Sequence, residues 1–518
     1  MRRTFFIFLV VFAATLSSIG RARTTALAQA RPAIINRQLL IVLDGLRPDY
    51  VRPDIMPNLY ALGQRGVVFQ HHHSVYPTVT RVNASSISTG SYPATHGLMG
   101  NSVFFPAVDP RRFLDTSDRE TLLKIDASEK GRLLTAPSLG DILQRAGRTL
   151  LVVSSGSGGS AHLLNHTLAG AILHNEFAHP EALYAEMSAA LGPNPPEATP
   201  NSAQNRRAVD AFLRIGLPKI DPSVTLMWIS DPDTTAHEHG VGHPTTIEAL
   251  KREDEEIKRL QDGLAAAGQL DRYNIWVTSD HGFTTSSQPA NLAALLTPFA
   301  GTLADGTPRI VSGGGAIYVR DHDRATIDGV VNALQHTEGI GAIFVPGATR
   351  GSLDGRLPGT LSFDAIHWSH ARSADVLYSP DWTDAKNAYG FPGITRAGGV
   401  AGHGSTSPFD VHNVLIAAGP DIKQKLPIDT PSGNVDFAPT FLRLAGIAVP
   451  PTMEGRILEE ALRDGPDPAG LKVESTEHRV KTADGVYTLT AFFSTLQSGL
   501  GSFRYFDYTK VDRRPAAR

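Results

Sequence analysis

The chain has 518 residues, 41% of them hydrophobic and 19% charged, with a formal net charge of -3, a globular composition long enough to bury a large core. That balance excludes both the basic footprint of a nucleic-acid binder and an acidic solvating tail, so no nucleic-acid-binding surface is expected, and nothing in it sets an oligomeric state. With no cysteine, the chain has neither disulfides nor thiolate ligands, and any metal must rest on oxygen and nitrogen.

The chain opens with Arg2 and Arg3, then an apolar run over residues 5–16 and the small-residue pattern Ala26-Leu27-Ala28. This is the form of an export signal cleaved from residues 1–28. The run is too short to span a bilayer and is followed by polar residues, so no membrane anchor is expected after cleavage. The mature protein is expected in the periplasm or outside the cell. Arg2-Arg3-Thr4-Phe5-Phe6 also resembles a twin-arginine signal, which exports folded, metal-loaded proteins.

Short β-branched runs then follow at 38–43, 66–70, 149–154, 224–229, 274–278 and 412–417, as expected for strands buried on both faces of a parallel sheet. Helical patterns lie between them, as at 56–65 and in the charged stretch 247–267. The alternation predicts a doubly wound α/β fold, with ligands beyond the carboxyl ends of the strands. The expected catalytic domain covers 34–465. Within it, 283–402 is looser and rich in Gly and Pro, read as an insertion that caps or flanks the site. Residues 466–518 are expected to form a small β appendage and a polar tail.

Polar clusters follow the strands, and each also has an ordinary structural reading. Asp44 precedes Gly45 after the first strand, a common turn pair. Thr80, in Tyr76-Pro77-Thr78-Val79-Thr80-Arg81, stands where a helix would begin and could serve as its cap. The same position lets a metal and a helix N-terminus favour its alkoxide. Asp233 and His237 lie four apart, so one helical turn lets them grip one ion, or form a surface pair. Asp280-His281-Gly282 and Gly402-His403-Gly404 complete the set, with the glycines expected to let the backbone approach a ligand closely. These aspartates, histidines and the threonine suffice for two divalent cations, and the imidazoles shift the expectation from Mg²⁺ or Ca²⁺ to Zn²⁺.

The order Asp-Gly, Pro-Thr-x-Thr, Thr-Gly-x-x-Pro-x-x-His-Gly, Asp-x-x-x-His, Asp-His-Gly and Gly-His-Gly resembles the alkaline phosphatase superfamily, and within it the nucleotide pyrophosphatase/phosphodiesterase branch. The resemblance runs from about residue 38 to 462. It implies an alkaline-phosphatase-like fold, two Zn²⁺ per chain and a small phosphorylated substrate. Thr80 is implied as nucleophile and ligand of one zinc, with Asp44, Asp280 and His281 as that zinc's other ligands. Asp233, His237 and His403 are implied as ligands of the second, and Asn101 as the donor to a non-bridging phosphoryl oxygen. Arg81 departs from the pattern, since nucleotide-cleaving relatives usually place an aromatic residue after the nucleophile. An arginine there either pairs with a second anionic group of the substrate or points outward. The alternatives are a phosphonoacetate-type carbon–phosphorus hydrolase or a phosphomonoesterase using the same site, and a non-catalytic exported zinc-binding protein. Sulfatase activity is not expected, since the chain has no cysteine and no formylglycine-precursor segment at Thr80. His71-His72-His73, His239, His243 and the glycine-rich stretch 156–160 have no assigned role; the last lacks the Lys-Ser/Thr of a phosphate loop.

Overall fold

Seven strands frame the molecule: β1 (Arg37–Leu43), β2 (Val67–His73), β3 (Leu150–Ser154), β4 (Ala171–His174), β5 (Val224–Ile229), β6 (Tyr273–Thr278) and β7 (His412–Ala418). They are taken from a computed structural model that describes residues 35–499 and 501–514; the expected export signal lies outside these residues. In β1, Leu40 and Val42 enter one hydrophobic core while Leu39, Ile41 and Leu43 enter another. A strand with both faces apolar is stable only when both are covered. Among the helices that cover the sheet or carry residues of the site are α1 (Pro57–Arg65), α2 (Thr80–Thr89), α3 (Asp233–His239) and α4 (Pro244–Ala266). α2 buries Ala84 and Ile87 on the first face. α1 and α4 bury Leu59, Leu62, Leu250, Ile257 and Leu260 on the second. Each such leucine or isoleucine side chain contributes roughly 1.5–3 kcal/mol when fully buried.

The sheet order is Leu426–Ile428, β2, β7, β6, β1, β5, β3, β4, Ala178–His179. This is the expected doubly wound, mostly parallel α/β architecture. One strand corrects the reading of 412–417 as part of a parallel set, because β7 runs antiparallel to both β2 and β6. It enters the sheet from the edge where β2 and β6 end. The strands β6, β1 and β5 are adjacent and parallel, so the loops that follow them open side by side at one edge of the sheet.

Residues 283–402 are more regular than their loose pattern suggested. They contribute a five-stranded sheet containing Ala316–Val319, Ile340–Val345 and Val376–Pro380, a helix at Arg324–Gln335, and strands of a separate four-stranded sheet. The strands are short and divided by Gly and Pro turns, which weakens any periodic signal. Beyond them, β8 (Lys472–Lys481), β9 (Tyr487–Ser498) and β10 (Gly501–Arg513) form an antiparallel sheet. Its Tyr487, Leu489 and Phe493 share one core with Ile343, Phe344 and Val345. Among the described residues, no helix is long and apolar enough to cross a membrane.

A buried ion pair ties this C-terminal sheet to the main body. Arg456 meets Glu460 at 2.6 Å and donates from Nε to the Tyr505 hydroxyl on β10 at 3.0 Å. Tyr505 in turn donates to Asp436. Burial opposes ionisation of Glu460, but Arg456 holds its carboxyl below the usual value of 4.5. Its stabilising contribution is therefore complete above that pH and is lost as pH falls through the lowered value. Arg456→Met leaves the Glu460 carboxylate buried without its partner and is expected to destabilise the fold by about 3–5 kcal/mol. Urea unfolding at pH 7 measures this, and an unchanged midpoint contradicts it.

Candidate metal-binding active site

The convergence begins with the sheet. Asp44 follows β1, Asp233 opens α3 after β5, and Asp280-His281 follow β6. Gly45 takes φ +74°, and a Cβ there would lie 3.2 Å from Asp233 Cβ, so the turn after β1 needs glycine to let the two carboxylates approach. Gly282 corrects an expectation: it makes room for backbone rather than for a ligand. A Cβ there would lie 2.0 Å from the Phe409 carbonyl oxygen, and the Gly282 N–H donates to the Asp410 carbonyl at 2.8 Å. This contact docks the loop that carries His403 against the one that carries His281.

Two clusters result, Asp44 with Asp280 and His281, and Asp233 with His281 and His403, each with its ligand atoms within 4.8 Å of one another. His281 Nε2 lies 3.4 Å from Asp44 Oδ1 and 3.2 Å from Asp280 Oδ2. Asp233 Oδ1 lies 3.3 Å from His237 Nε2 and 3.4 Å from His403 Nε2. The His281 and His403 rings stack with centroids 3.5 Å apart. The structure thus brings together all six aspartate and histidine side chains expected at the site.

Each imidazole is oriented by a backbone carbonyl on its other nitrogen: Nδ1 of His237 meets Ala401 O, that of His281 meets Gly282 O and that of His403 meets Thr78 O. A proton shared with the carbonyl leaves the Nε2 lone pair facing the carboxylates, the arrangement typical of metal-ligating histidines. Burial, followed by the nearby His281, pushes the His403 imidazole well below its ordinary value, which keeps it neutral.

Three carboxylate oxygens at this centre, Asp44 Oδ1, Asp233 Oδ1 and Asp280 Oδ2, are buried without a hydrogen-bond partner. Burial, then the neighbouring charges of Asp280 and Asp233, push the Asp44 carboxyl well above its usual range. Buried anions are stable only when paired or bound to metal. Orphaned oxygens facing imidazole lone pairs fit divalent cations held by nitrogen and oxygen.

Thr80 is the first residue of α2, and the cap position is Val79, which makes no side-chain cap. The hydroxyl is therefore free of the capping duty its sequence position suggested, and lies 3.3 Å from His281 Nε2. Asn101 accepts the Arg81 backbone N–H through Oδ1 at 2.9 Å, which leaves its amide nitrogen as the donor end. The Arg81 side chain lines a cleft of about 490 Å³ beside Thr80, Asp44 and Asp233. Its Nε is buried without a hydrogen-bond partner, and its charged end is 3.7 Å from Asp115. A second cleft, of about 300 Å³, opens beside Asn101 and His403.

The family description "Type I phosphodiesterase / nucleotide pyrophosphatase" matches residues 38–382. The chain belongs to this family. Phosphodiesterases and nucleotide pyrophosphatases are hydrolases. The human bis(5'-adenosyl)-triphosphatase ENPP4 is 26% identical over 251 residues, 48% of this chain and 48% of the relative. The venom phosphodiesterase of Macrovipera lebetinus is 25% identical over 247 residues, 47% of this chain and 25% of that protein. The chain thus spans between a quarter and half the length of these curated relatives. Among solved structures, murine ectonucleotide pyrophosphatase/phosphodiesterase 5, an inactive threonine-to-alanine variant in complex with AMP, superposes with a TM-score of 0.56 at 17% identity. It covers 80% of this chain and 96% of that one. Human ectonucleotide pyrophosphatase/phosphodiesterase 5 gives a TM-score of 0.57 at 17% identity, covering 83% of this chain and 100% of that one. At that identity the likeness is one of fold.

Several residues at the site carry no sequence signal. The glycine-rich stretch 156–160 lines the larger cleft through Gly156, Ser157 and Gly158, together with Ser155, Asn175, Asn194 and Gln204. Trp228 donates from Nε1 to Asp44 Oδ2 at 2.9 Å; read along the chain, it is one more apolar strand residue. His243 caps α4 by accepting the Thr245 N–H, and His239 stacks on it. Trp228→Phe removes the donor that aims Asp44 and is expected to weaken metal retention about 10–100-fold. Competition against a chelator measures this, and unchanged retention contradicts it.

Proposed function

We infer that the chain is an exported hydrolase, requiring two zinc ions per chain, that cleaves phosphodiester or pyrophosphate bonds in small phosphorylated substrates through a covalent phosphothreonine on Thr80. The observation that carries this reading is the Thr80 hydroxyl, buried at the start of α2 and turned toward the cluster of orphaned carboxylates. Family membership supports the bond class. The description of a threonine-to-alanine variant of a similar fold as inactive supports the threonine. The pattern over residues 1–28 supports export.

Asp44, Thr80, Asp280 and His281 would hold one ion, and Asp233, His237 and His403 the other. Bound there, the two cations would supply the positive charge that favours the threonine alkoxide and offsets charge on the leaving oxygen. The residues of the chain do the rest. Thr80 Oγ1 attacks phosphorus, and the bond to the leaving oxygen breaks. The N-terminus of α2 favours negative charge at that position. The Asn101 amide donates to a non-bridging oxygen as charge develops there, while its own carbonyl is fixed by the Arg81 N–H. Water then attacks the phosphothreonine, the Oγ1–phosphorus bond breaks, and the hydroxyl regains its proton. Clefts on two sides of the centre suit a substrate with an arm on each side of phosphorus.

One observation favours a second reading of the substrate. The larger cleft is lined by Arg81 and by serine, asparagine, glutamine and glutamate side chains, without Phe, Tyr or Trp among the described residues. An arginine whose Nε lacks a partner suits a substrate bearing a second anionic group, as phosphonoacetate does. The cleft offers no Phe, Tyr or Trp ring on which a base would stack.

A hydrolysis panel on zinc-loaded protein tests both readings, comparing a simple diester, a nucleotide ester, a phosphomonoester and phosphonoacetate. Diester preference with little nucleotide discrimination is expected, and preferred release of phosphate from phosphonoacetate would favour the second reading. Thr80→Ala is expected to abolish turnover of every substrate; activity equal to the unaltered protein would sink the threonine mechanism. Asn101→Ala is expected to lower kcat roughly ten- to a thousandfold, and unaltered kinetics would remove its assigned role.

A further inference from the structure

The His71-His72-His73 run ends β2, and the register sets His73 directly against His412, the first residue of β7. The carboxylate of Asp507, on β10, reaches the same place. Asp507 Oδ1 lies 2.7 Å from His73 Nε2 and 3.8 Å from His412 Nε2. The two imidazoles meet edge to face with centroids 4.8 Å apart. None of these residues belongs to the catalytic cluster.

We propose that His73, His412 and Asp507 form a third cation site, for a zinc-like transition metal, that clasps the C-terminal sheet to the edge of the central sheet. Two features carry it. His73 has an acceptor at each ring nitrogen, since Nδ1 meets the Ser432 carbonyl at 2.8 Å while Nε2 faces the carboxylate. A neutral imidazole has one N–H, so once the carbonyl takes it a lone pair is left facing an anion. A cation bound by both groups, in place of their direct 2.7 Å contact, removes that conflict. The same pattern, a backbone carbonyl at Nδ1 and a carboxylate at Nε2, marks His237, His281 and His403 at the catalytic centre. Second, His412 Nε2 is buried without a hydrogen-bond partner, and one ligand atom from each of His73, His412 and Asp507 lies within 4.8 Å of the others.

The donor set is two imidazoles and one carboxylate, which suits Zn²⁺ over Mg²⁺ or Ca²⁺. Ser494 donates to Asp507 Oδ2 at 2.9 Å and orients the carboxylate, as supporting groups do around metal ligands. Burial opposes ionisation of Asp507, yet the two imidazoles hold its carboxyl below the usual range. His412 is half-buried and His71 exposed, so a water or His71 could complete a four-coordinate shell. The ion would link β2, β7 and β10, and the segment after β2 leads to Thr80.

Zinc alone is the probe. The full chain and His412→Gln are stripped with a chelator, equilibrated with zinc and assayed for bound metal. The variant is expected to bind about one ion fewer per chain and to lose part of the zinc-dependent rise in thermal midpoint. The same difference is expected on an Asp233→Asn background, which separates this site from the catalytic one. Equal zinc content with and without His412 overturns the proposal and leaves His73 and Asp507 as a hydrogen-bonded ion pair. Should His412→Gln fail to fold, anomalous scattering from zinc-grown crystals of the unaltered chain decides. A peak within bonding distance of both Nε2 atoms is expected, and absence of density there overturns the proposal.

Discussion

Three buried carboxylate oxygens without a donor constrain everything around them. Asp44, Asp233 and Asp280 bring carboxylates together, and their partnerless oxygens face the Nε2 atoms of His237, His281 and His403. Left alone, that arrangement is unfavourable by several kcal/mol for each ion. Cations turn the same repulsion into affinity. The rest of the site depends on this: the aligned ends of β6, β1 and β5 bring the acids side by side, Gly45 lets two of them approach, and carbonyls fix the imidazoles.

The catalytic proposal adds Thr80 and Asn101 to that frame. Neither would be informative in isolation, because a threonine at a helix start and an asparagine in a loop are common. Their meaning comes from position. Thr80 is relieved of capping and faces the cluster, and Asn101 is aimed by the backbone of the very residue that follows Thr80. Arg81 then sets the character of the cleft. A polar, arginine-lined wall makes recognition of a charged group physically easier than recognition of a flat base.

The fold class was legible because its strands are continuous apolar runs, and Val224–Ile229 needs both faces covered wherever it sits. The order of the Asp and His motifs pointed to the family that the match over residues 38–382 shows. What stayed hidden was set by contacts distant in sequence. The reversed direction of β7 is decided by where the loop before it docks, not by its composition. The strands of 283–402 are too short and too interrupted by Gly and Pro to show a period. Trp228 as an aid to Asp44, and the meeting of His73 with Asp507, appear only when β-strands far apart in the chain lie together.

The most direct test of the central claim is the rate of diester hydrolysis across removal and return of metal. Chelator-treated protein, shown by circular dichroism to remain folded, is assayed before and after zinc is restored. The account predicts that hydrolysis disappears with the metal, returns with zinc, and does not return when the carboxylates are altered in Asp44→Asn. Undiminished hydrolysis by the folded, metal-free protein would contradict it, since the carboxylates would then have a purpose other than holding cations.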